Sequence, residues 1–177
     1  MRIATLTLLA LATTPALALA QPEQHYSGGL SAIVPLWERM KDLYIRSAEQ
    51  MPEEKLGFRP TPLVRSFGQI LGHVATDQYV FCSTALGEND PNTTDYEKTT
   101  TRAGLIQALK DSFSYCDQAY QMSDAKTMDD VEFFGTKGSR LWVLNNNVLH
   151  DGEHYGNLVT YFRINGIVPP SSQRQGS

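Results

Sequence analysis

Apolar residues recur every three or four positions along four stretches of the chain, the spacing that places side chains on one face of an α-helix. The first stretch covers residues 30–48. Its apolar positions are Leu30, Ile33, Val34, Trp37, Met40, Tyr44 and Ala48. Pro35 lies inside this pattern, so a regular helix would begin at the proline or bend there. Pro52 and the segment GFRPTP prevent its continuation, because each proline lacks an amide donor and restrains the preceding residue.

The second helix is predicted to begin with a capping box, Ser66-Phe67-Gly68-Gln69, and to end near Gly87. Its apolar face comprises Phe67, Ile70, Val74 and Phe81. The polar stretch GENDPNTTDYEKTT follows. This stretch is long for a turn between two helices and predicts a crossover connection instead of a tight hairpin.

The third helix is predicted to start from an N-cap within residues 99–101. Its apolar face comprises Ile106, Leu109, Phe113, Cys116 and Tyr120. Residues 123–138 show no helical period, and VEFFG within them is compatible with an extended segment across the bundle.

The fourth helix is predicted to run from Ser139 to about Arg163. Gly166 would form a left-handed C-cap, Ile167 would make the accompanying apolar contact, and a proline pair blocks any return to helix. No other stretch shows the alternation of a strand. The pattern therefore predicts an all-α four-helix bundle with at least one long crossover connection.

The length of 177 residues fits one folded domain. Residues 1–20, MRIATLTLLALATTPALALA, combine one arginine, an apolar run and a final Ala-Leu-Ala, which is typical of a signal peptide cleaved before Gln21. A membrane anchor is the alternative, but Pro15 and several threonines interrupt a run already shorter than the ~20 residues of a spanning helix. We expect a single helical domain over 21–177, exported to the periplasm or secreted.

The net charge and the two cysteines bear on possible binding partners and on a possible disulfide. Removal of the signal takes one of 15 basic residues, so 14 basic against 19 acidic residues give a net charge of −5. Without a basic cluster, such a chain is a poor partner for nucleic acid or anionic lipid. Cys82 and Cys116 could form a disulfide in an oxidising compartment or pack as reduced apolar residues, and neither belongs to a CxxC motif.

Two of the four histidines, His150 and His154, lie four positions apart on the fourth helix, so both rings project from one face. The other residues on this face of the helix are mostly apolar, so the face is expected to point towards the core. The spacing of this pair alone is compatible with two interpretations, a pair of histidines packed in the core or two ligands of a metal ion. The sequence HDGEH also lacks the glutamate that directly follows the first histidine in zinc proteases.

His73 on the second helix could point towards the same interior and supply a third ligand. Three histidines without a fourth protein ligand leave an open coordination position, and Zn²⁺, Ni²⁺ or Fe²⁺ would accept them. His25, in the N-terminal tail, is left out of this set. Asp77 and Asn147 lie one turn from His73 and His150 and could orient ligands, although either could also be structural.

Two further acidic residues, Asp151 and Glu153, are expected to lie on the solvated side of the fourth helix. We do not expect them to act in catalysis.

The segments LGHVATDQY and LHDGEHYGNLVTYFRINGIVPPS resemble the DinB-like superfamily of four-helix metalloproteins. The resemblance extends over roughly residues 33–172 and includes the MPEEKLGFRPTP linker and the SYCD segment. It implies a divalent metal held by His73, His150 and His154. It also implies homodimers, and transferase or isomerase chemistry with low-molecular-weight thiols such as bacillithiol or mycothiol.

Two kinds of function remain open at this point. The chain is expected to be a metal-dependent enzyme, a thiol transferase or a hydrolase, in which the ion activates a thiol or a water molecule. The alternative is a metal-binding or purely structural dimeric bundle without turnover. The residues do not specify a substrate.

Overall fold

The computed structural model describes residues 28–173, which fold into four long helices, one single-turn helix and a β-hairpin. The helices are α1 (Leu30–Gln50), α2 (Phe67–Leu86), α3 (Arg102–Cys116), α4 (Asp124–Thr127) and α5 (Arg140–Ile164). The strands are β1 (Asp130–Phe133) and β2 (Thr136–Ser139). The predicted signal, residues 1–20, and His25 lie outside the described residues.

The four long helices form the predicted all-α bundle. Helix α2 packs against α3 and α5, and α1 packs against the same two helices from the opposite corner. Helices α2 and α3 run in the same direction, because Gly68 lies beside Leu105 near their starts and Cys82 is bonded to Cys116 near their ends. The 87–101 connection must therefore return along the length of α2, which confirms the predicted crossover.

Helix boundaries follow the predicted caps closely. The Ser66 hydroxyl accepts from the Gln69 amide while the Gln69 side chain accepts from the Ser66 amide, a complete capping box. Thr101 caps α3 and Ser139 caps α5. At the C-terminal end of α5, Gly166 has φ 71°, and the next amide donates to the Phe162 carbonyl at 2.9 Å.

Helix α1 starts at the first position of the predicted apolar pattern. It begins at Leu30 and continues through Pro35. The Leu30 amide donates to Asp124 Oδ1 at 3.0 Å, so a side chain from α4 satisfies one of the free amides of the first turn. This tertiary partner lies 94 residues away along the sequence, so a contact outside the local pattern supports the start of the helix before Pro35.

The segment without helical period folds as an antiparallel hairpin, in which Asp130 pairs with Ser139 and Phe133 with Thr136. VEFFG is extended over part of its length, but the hairpin itself was not predicted. Its turn places Phe134 and Gly135 at φ 48° and 75°, the positive values that a two-residue type I′ turn requires.

A buried disulfide joins Cys82 on α2 to Cys116 at the end of α3, with a Cα–Cα distance of 5.3 Å. This settles the two alternatives left open by the sequence in favour of the bridge. Around it the core is aromatic, with Trp37 and Tyr120 stacked at 4.1 Å between ring centroids. The core residues on α2 and α5 fix the facing surfaces of these two helices, which carry the histidines.

Within residues 28–173, no helix combines the length and the apolar character needed to cross a bilayer.

Candidate metal centre

Helices α2 and α5 bring the three predicted histidines together. His73 projects from α2, and His150 and His154 project from α5 one turn apart. The Nε2 atoms of His150 and His154 are 3.0 Å apart, and one ring nitrogen from each of the three residues lies within 4.8 Å of the other two. The ring centroid of His73 is 5.3 Å from that of His150 and 4.7 Å from that of His154.

The imidazoles are neutral at ordinary pH. Burial lowers the pKa of His73 and of His150 to about 4, and it also lowers the pKa of His154. The positive charge of Arg65 adds to this effect at all three rings. A neutral ring keeps a lone pair on one nitrogen, the form in which histidine binds metal ions.

Asp77, one turn after His73 on α2, reaches the same point. Its Oδ2 atom lies 3.2 Å from Nε2 of His73 and 3.2 Å from Nε2 of His150. Burial raises the pKa of Asp77 to about 6. Asp77 therefore lies within the histidine cluster, whereas the sequence did not indicate direct contact with two histidines.

A second carboxylate approaches from the crossover connection. Glu97 Oε1 lies 3.2 Å from Nδ1 of His73 and accepts from Nε of Arg65 at 3.0 Å. Carboxylates in this position fix the ring orientation of metal-binding histidines. The Nδ1 contact leaves Nε2 of His73 to face the other two rings.

Gly72 allows this carboxylate to come so close. A Cβ at Gly72 would lie 2.2 Å from the Tyr96 carbonyl oxygen and 2.7 Å from the Glu97 amide nitrogen. Only glycine leaves room for the connection to lie directly on α2 at this point. The backbone contact thus determines where Glu97 meets His73.

A cavity of about 480 Å³ opens beside His154. Its lining consists of Leu63, Val64, Arg65, Ile70, His154, Asn157 and Tyr161. The volume lies within the range of small-molecule sites in proteins. The histidine cluster therefore has a route to a bound molecule on its His154 side.

Behind the cluster lies a fully buried polar network. Gln78 Nε2 donates to Asp151 Oδ1 at 2.7 Å, and Asn147 Nδ2 donates to Gln78 Oε1 at 2.9 Å and to the Tyr120 hydroxyl at 3.2 Å. The Tyr44 hydroxyl donates to the Asp151 carbonyl. These bonds cross from α1 and α2 to α5 and stiffen the helices that carry the ligands.

One expectation about α5 was wrong. Asp151 is not on the solvated side but completely buried, because α5 packs against both α1 and α2 and its buried face is wider than one row of side chains. Two roles were left open for Asn147, and its hydrogen bonds to Gln78 and Tyr120 agree with the structural one. Glu153 is exposed, as expected.

Sequence reasoning also missed Glu97, Arg65 and Gln78. Glu97 and Arg65 lie in connections whose paths carry no periodic signal. A glycine inside α2, Gly72, was the single available sign that another segment of backbone crosses the helix. Gln78 follows Asp77 directly and gave no pattern of its own.

The donor set fits a divalent metal ion. Three neutral imidazoles converge, and nitrogen ligands of this kind suit Zn²⁺, Ni²⁺ or Fe²⁺. The Nδ1 atoms of His150 and His154 are buried and make no hydrogen bond within residues 28–173, so the protein does not fix these two rings through that nitrogen. A cation at the Nε2 side would orient both. The cluster could thus hold a metal ion.

Comparison with known proteins agrees with this fold. A DinB-like protein from Bacillus cereus has a crystal structure that matches with a TM-score of 0.71 at 18% identity, covering 82% of this chain and 98% of that one. A second, from Bacillus subtilis, matches with a TM-score of 0.62 at 19% identity, covering 81% and 99%. No curated protein shows significant similarity to the chain. The family model of the DinB superfamily matches residues 36–158, and the chain therefore belongs to the DinB superfamily.

Proposed function

We propose that this protein is a metal-dependent enzyme in which His73, His150 and His154 hold a divalent ion with one position open to a thiol or water nucleophile. The observation that carries the proposal is the convergence of three histidine side chains beside a cavity of about 480 Å³. A structural metal site would be closed by a fourth protein ligand and would need no cavity. The reaction class is that of a thiol transferase or a hydrolase.

A bound ion would supply Lewis acidity that lowers the pKa of a coordinated thiol or water molecule. The residues of the chain supply the rest. Asp77 Oδ2, within 3.2 Å of two ring nitrogens, is placed to accept a hydrogen bond from the nucleophile. Glu97 holds the His73 ring, and the buried network holds the helix backbones that position the ligands.

A second candidate is a metal-binding or structural bundle without turnover. The position of Asp77 favours it, because the same Oδ2 atom could close the coordination shell as a fourth ligand. The two functions therefore differ in what Asp77 does.

Cobalt-loaded protein titrated with azide distinguishes them through the visible absorption of Co²⁺. If the protein is an enzyme with an open position, azide changes the spectrum of the wild type, and Asp77→Asn responds similarly. If Asp77 closes the shell, the wild type does not respond and Asp77→Asn does. Absence of cobalt uptake by the wild type would contradict both the enzyme and the metal-binding bundle.

We also propose export, followed by homodimer formation. The signal-like segment before Gln21 and the disulfide between Cys82 and Cys116 support export, because disulfides persist in oxidising compartments. Leu36 and Leu149, 49% and 68% exposed, lie on adjacent helices and offer an apolar surface to a second copy. Mass spectrometry of the N-terminus and the sedimentation coefficient of the purified protein test these two points.

A further inference from the structure

The cavity beside His154 contains one cationic side chain and no acidic one. Arg65 lies in its wall, together with the polar Asn157 and the hydroxyl-bearing Tyr161. The remaining wall residues other than His154 are aliphatic. A molecule that enters therefore meets one positive charge, two polar side chains and an apolar surface.

Arg65 is held in place from two directions. The Tyr161 hydroxyl donates to its backbone carbonyl at 2.9 Å, and its Nε donates to Glu97 Oε1 at 3.0 Å. Within residues 28–173, its two terminal Nη groups make no hydrogen bond. A guanidinium fixed through Nε, with its Nη groups free, is the arrangement that binds a carboxylate with little further loss of freedom.

The charges around the site favour an anion. Imidazoles that bind a metal ion are neutral, so a divalent ion and Arg65 would contribute three positive charges against two negative ones from the carboxylates of Asp77 and Glu97. The local net charge of the loaded site would be positive, which attracts anionic ligands.

Apolar surface at the rim of the cavity has no partner within the described residues. Leu63 is 94% exposed and Val64 is 42% exposed. Leu63 and Val64 are the two residues before Arg65 in the sequence, so this apolar surface lies next to the guanidinium group. The apolar part of a small molecule would cover these side chains while its charged end reaches the guanidinium.

We propose that the substrate of this centre carries a carboxylate that binds Arg65 and an apolar segment that contacts Leu63 and Val64. This inference rests on the proposed function, since it places the reacting end of the substrate at the His154 side of the metal. Arg65 is then the residue that determines substrate charge, and the cavity selects carboxylates over neutral or cationic molecules of the same length.

Hydroxamates attached to a charged tail provide suitable probes, because the hydroxamate binds the metal and the tail samples the cavity. Monohydroxamates of dicarboxylic acids with two, three or four methylene groups are compared with amino-terminated hydroxamates of the same lengths. Binding to cobalt-loaded protein is followed through the visible spectrum of Co²⁺. We expect at least one carboxylate probe to bind about tenfold more tightly than its amino counterpart.

Variants assign this preference to Arg65. Arg65→Gln is expected to abolish it, and Arg65→Lys to keep part of it. Arg59→Gln is the control, because Arg59 belongs to the same linker but is exposed and lies outside this cavity. This variant should keep the full preference for the carboxylate probes. Cobalt content is measured for every variant, so loss of the metal is separated from loss of the charge preference.

Three results would overturn the inference. Equal binding of all probes by the cobalt-loaded wild type would refute the carboxylate preference while leaving the proposed metal function intact. A preference that persists in Arg65→Gln would show that another group recognises the anion. Failure of the wild type to bind cobalt would overturn the inference together with the proposed function.

Discussion

Alanine at Gly72 tests whether the crossover connection positions the histidine cluster. A Cβ there would lie 2.2 Å from the Tyr96 carbonyl oxygen, 2.5 Å from its carbonyl carbon and 2.7 Å from the Glu97 amide nitrogen. Non-bonded carbon contacts are favourable at about 3.5 Å or more. These three atoms belong to the backbone, so no side-chain rotation relieves the overlap and the 96–97 segment must move by about 1 Å.

This movement would disrupt the contacts of Glu97. Its Oε1 atom lies 3.2 Å from Nδ1 of His73 and 3.0 Å from Nε of Arg65, and hydrogen bonds weaken steeply beyond such distances. Overpacking of this kind lowers the free energy of unfolding by about 1–3 kcal/mol. Loss of a carboxylate that orients a ligating histidine lowers metal affinity by about 10–100-fold.

Gly152→Ala is the matched control, since Gly152 also lies within a helix and a Cβ there would meet no atom within 4 Å. We expect this variant to be more stable than the wild type by about 0.5–1 kcal/mol. Urea unfolding gives the two stabilities, and competition with a zinc chelator gives the affinities. If Gly72→Ala unfolds like the wild type and binds zinc equally well, the connection does not position the cluster.

Two further predictions concern the core. Replacing Cys82 and Cys116 together by alanine opens a bridge with a sequence separation of 34 residues, and urea unfolding should show a loss of about 4 kcal/mol; a loss below about 1 kcal/mol would contradict this. Burial raises the pKa of Asp151 well above its ordinary value. The Asp151 carboxyl therefore keeps its proton in the folded chain at pH values above about 4, where the unfolded chain releases it. Because the folded chain binds this extra proton, the free energy of unfolding of the wild type falls as the pH rises. Asp151→Asn removes this dependence, and its stability relative to the wild type should rise between pH 4 and pH 7; a constant difference would refute the assignment.

Helix positions and caps could be predicted because their causes are local. The capping box at Ser66, the N-cap at Thr101 and the left-handed Gly166 all depend on residues within a few positions of one another. The spacing of His150 and His154 fixed their common direction for the same reason. His73 could be added because it lies on the α2 side bordered by apolar positions.

The rest of the site depends on contacts that the sequence does not encode locally. Glu97 reaches His73 only because the connection returns along α2, a path set by tertiary packing. Asp151 was assigned to the wrong side because two neighbouring helices, and not one, cover α5. The hairpin after α4 is too short for a periodic signal, and its turn contains Phe134, a residue uncommon at positive φ.

The central claim is that three histidines from two helices bind one metal ion, and equilibrium binding of Zn²⁺ to metal-free protein tests it most directly. We predict one ion per chain for the wild type. His150→Ala should lose most of the affinity, because two remaining imidazoles hold a divalent ion poorly, and His25→Ala should bind like the wild type. Unchanged zinc binding by His150→Ala, or loss of binding in His25→Ala, would contradict the account.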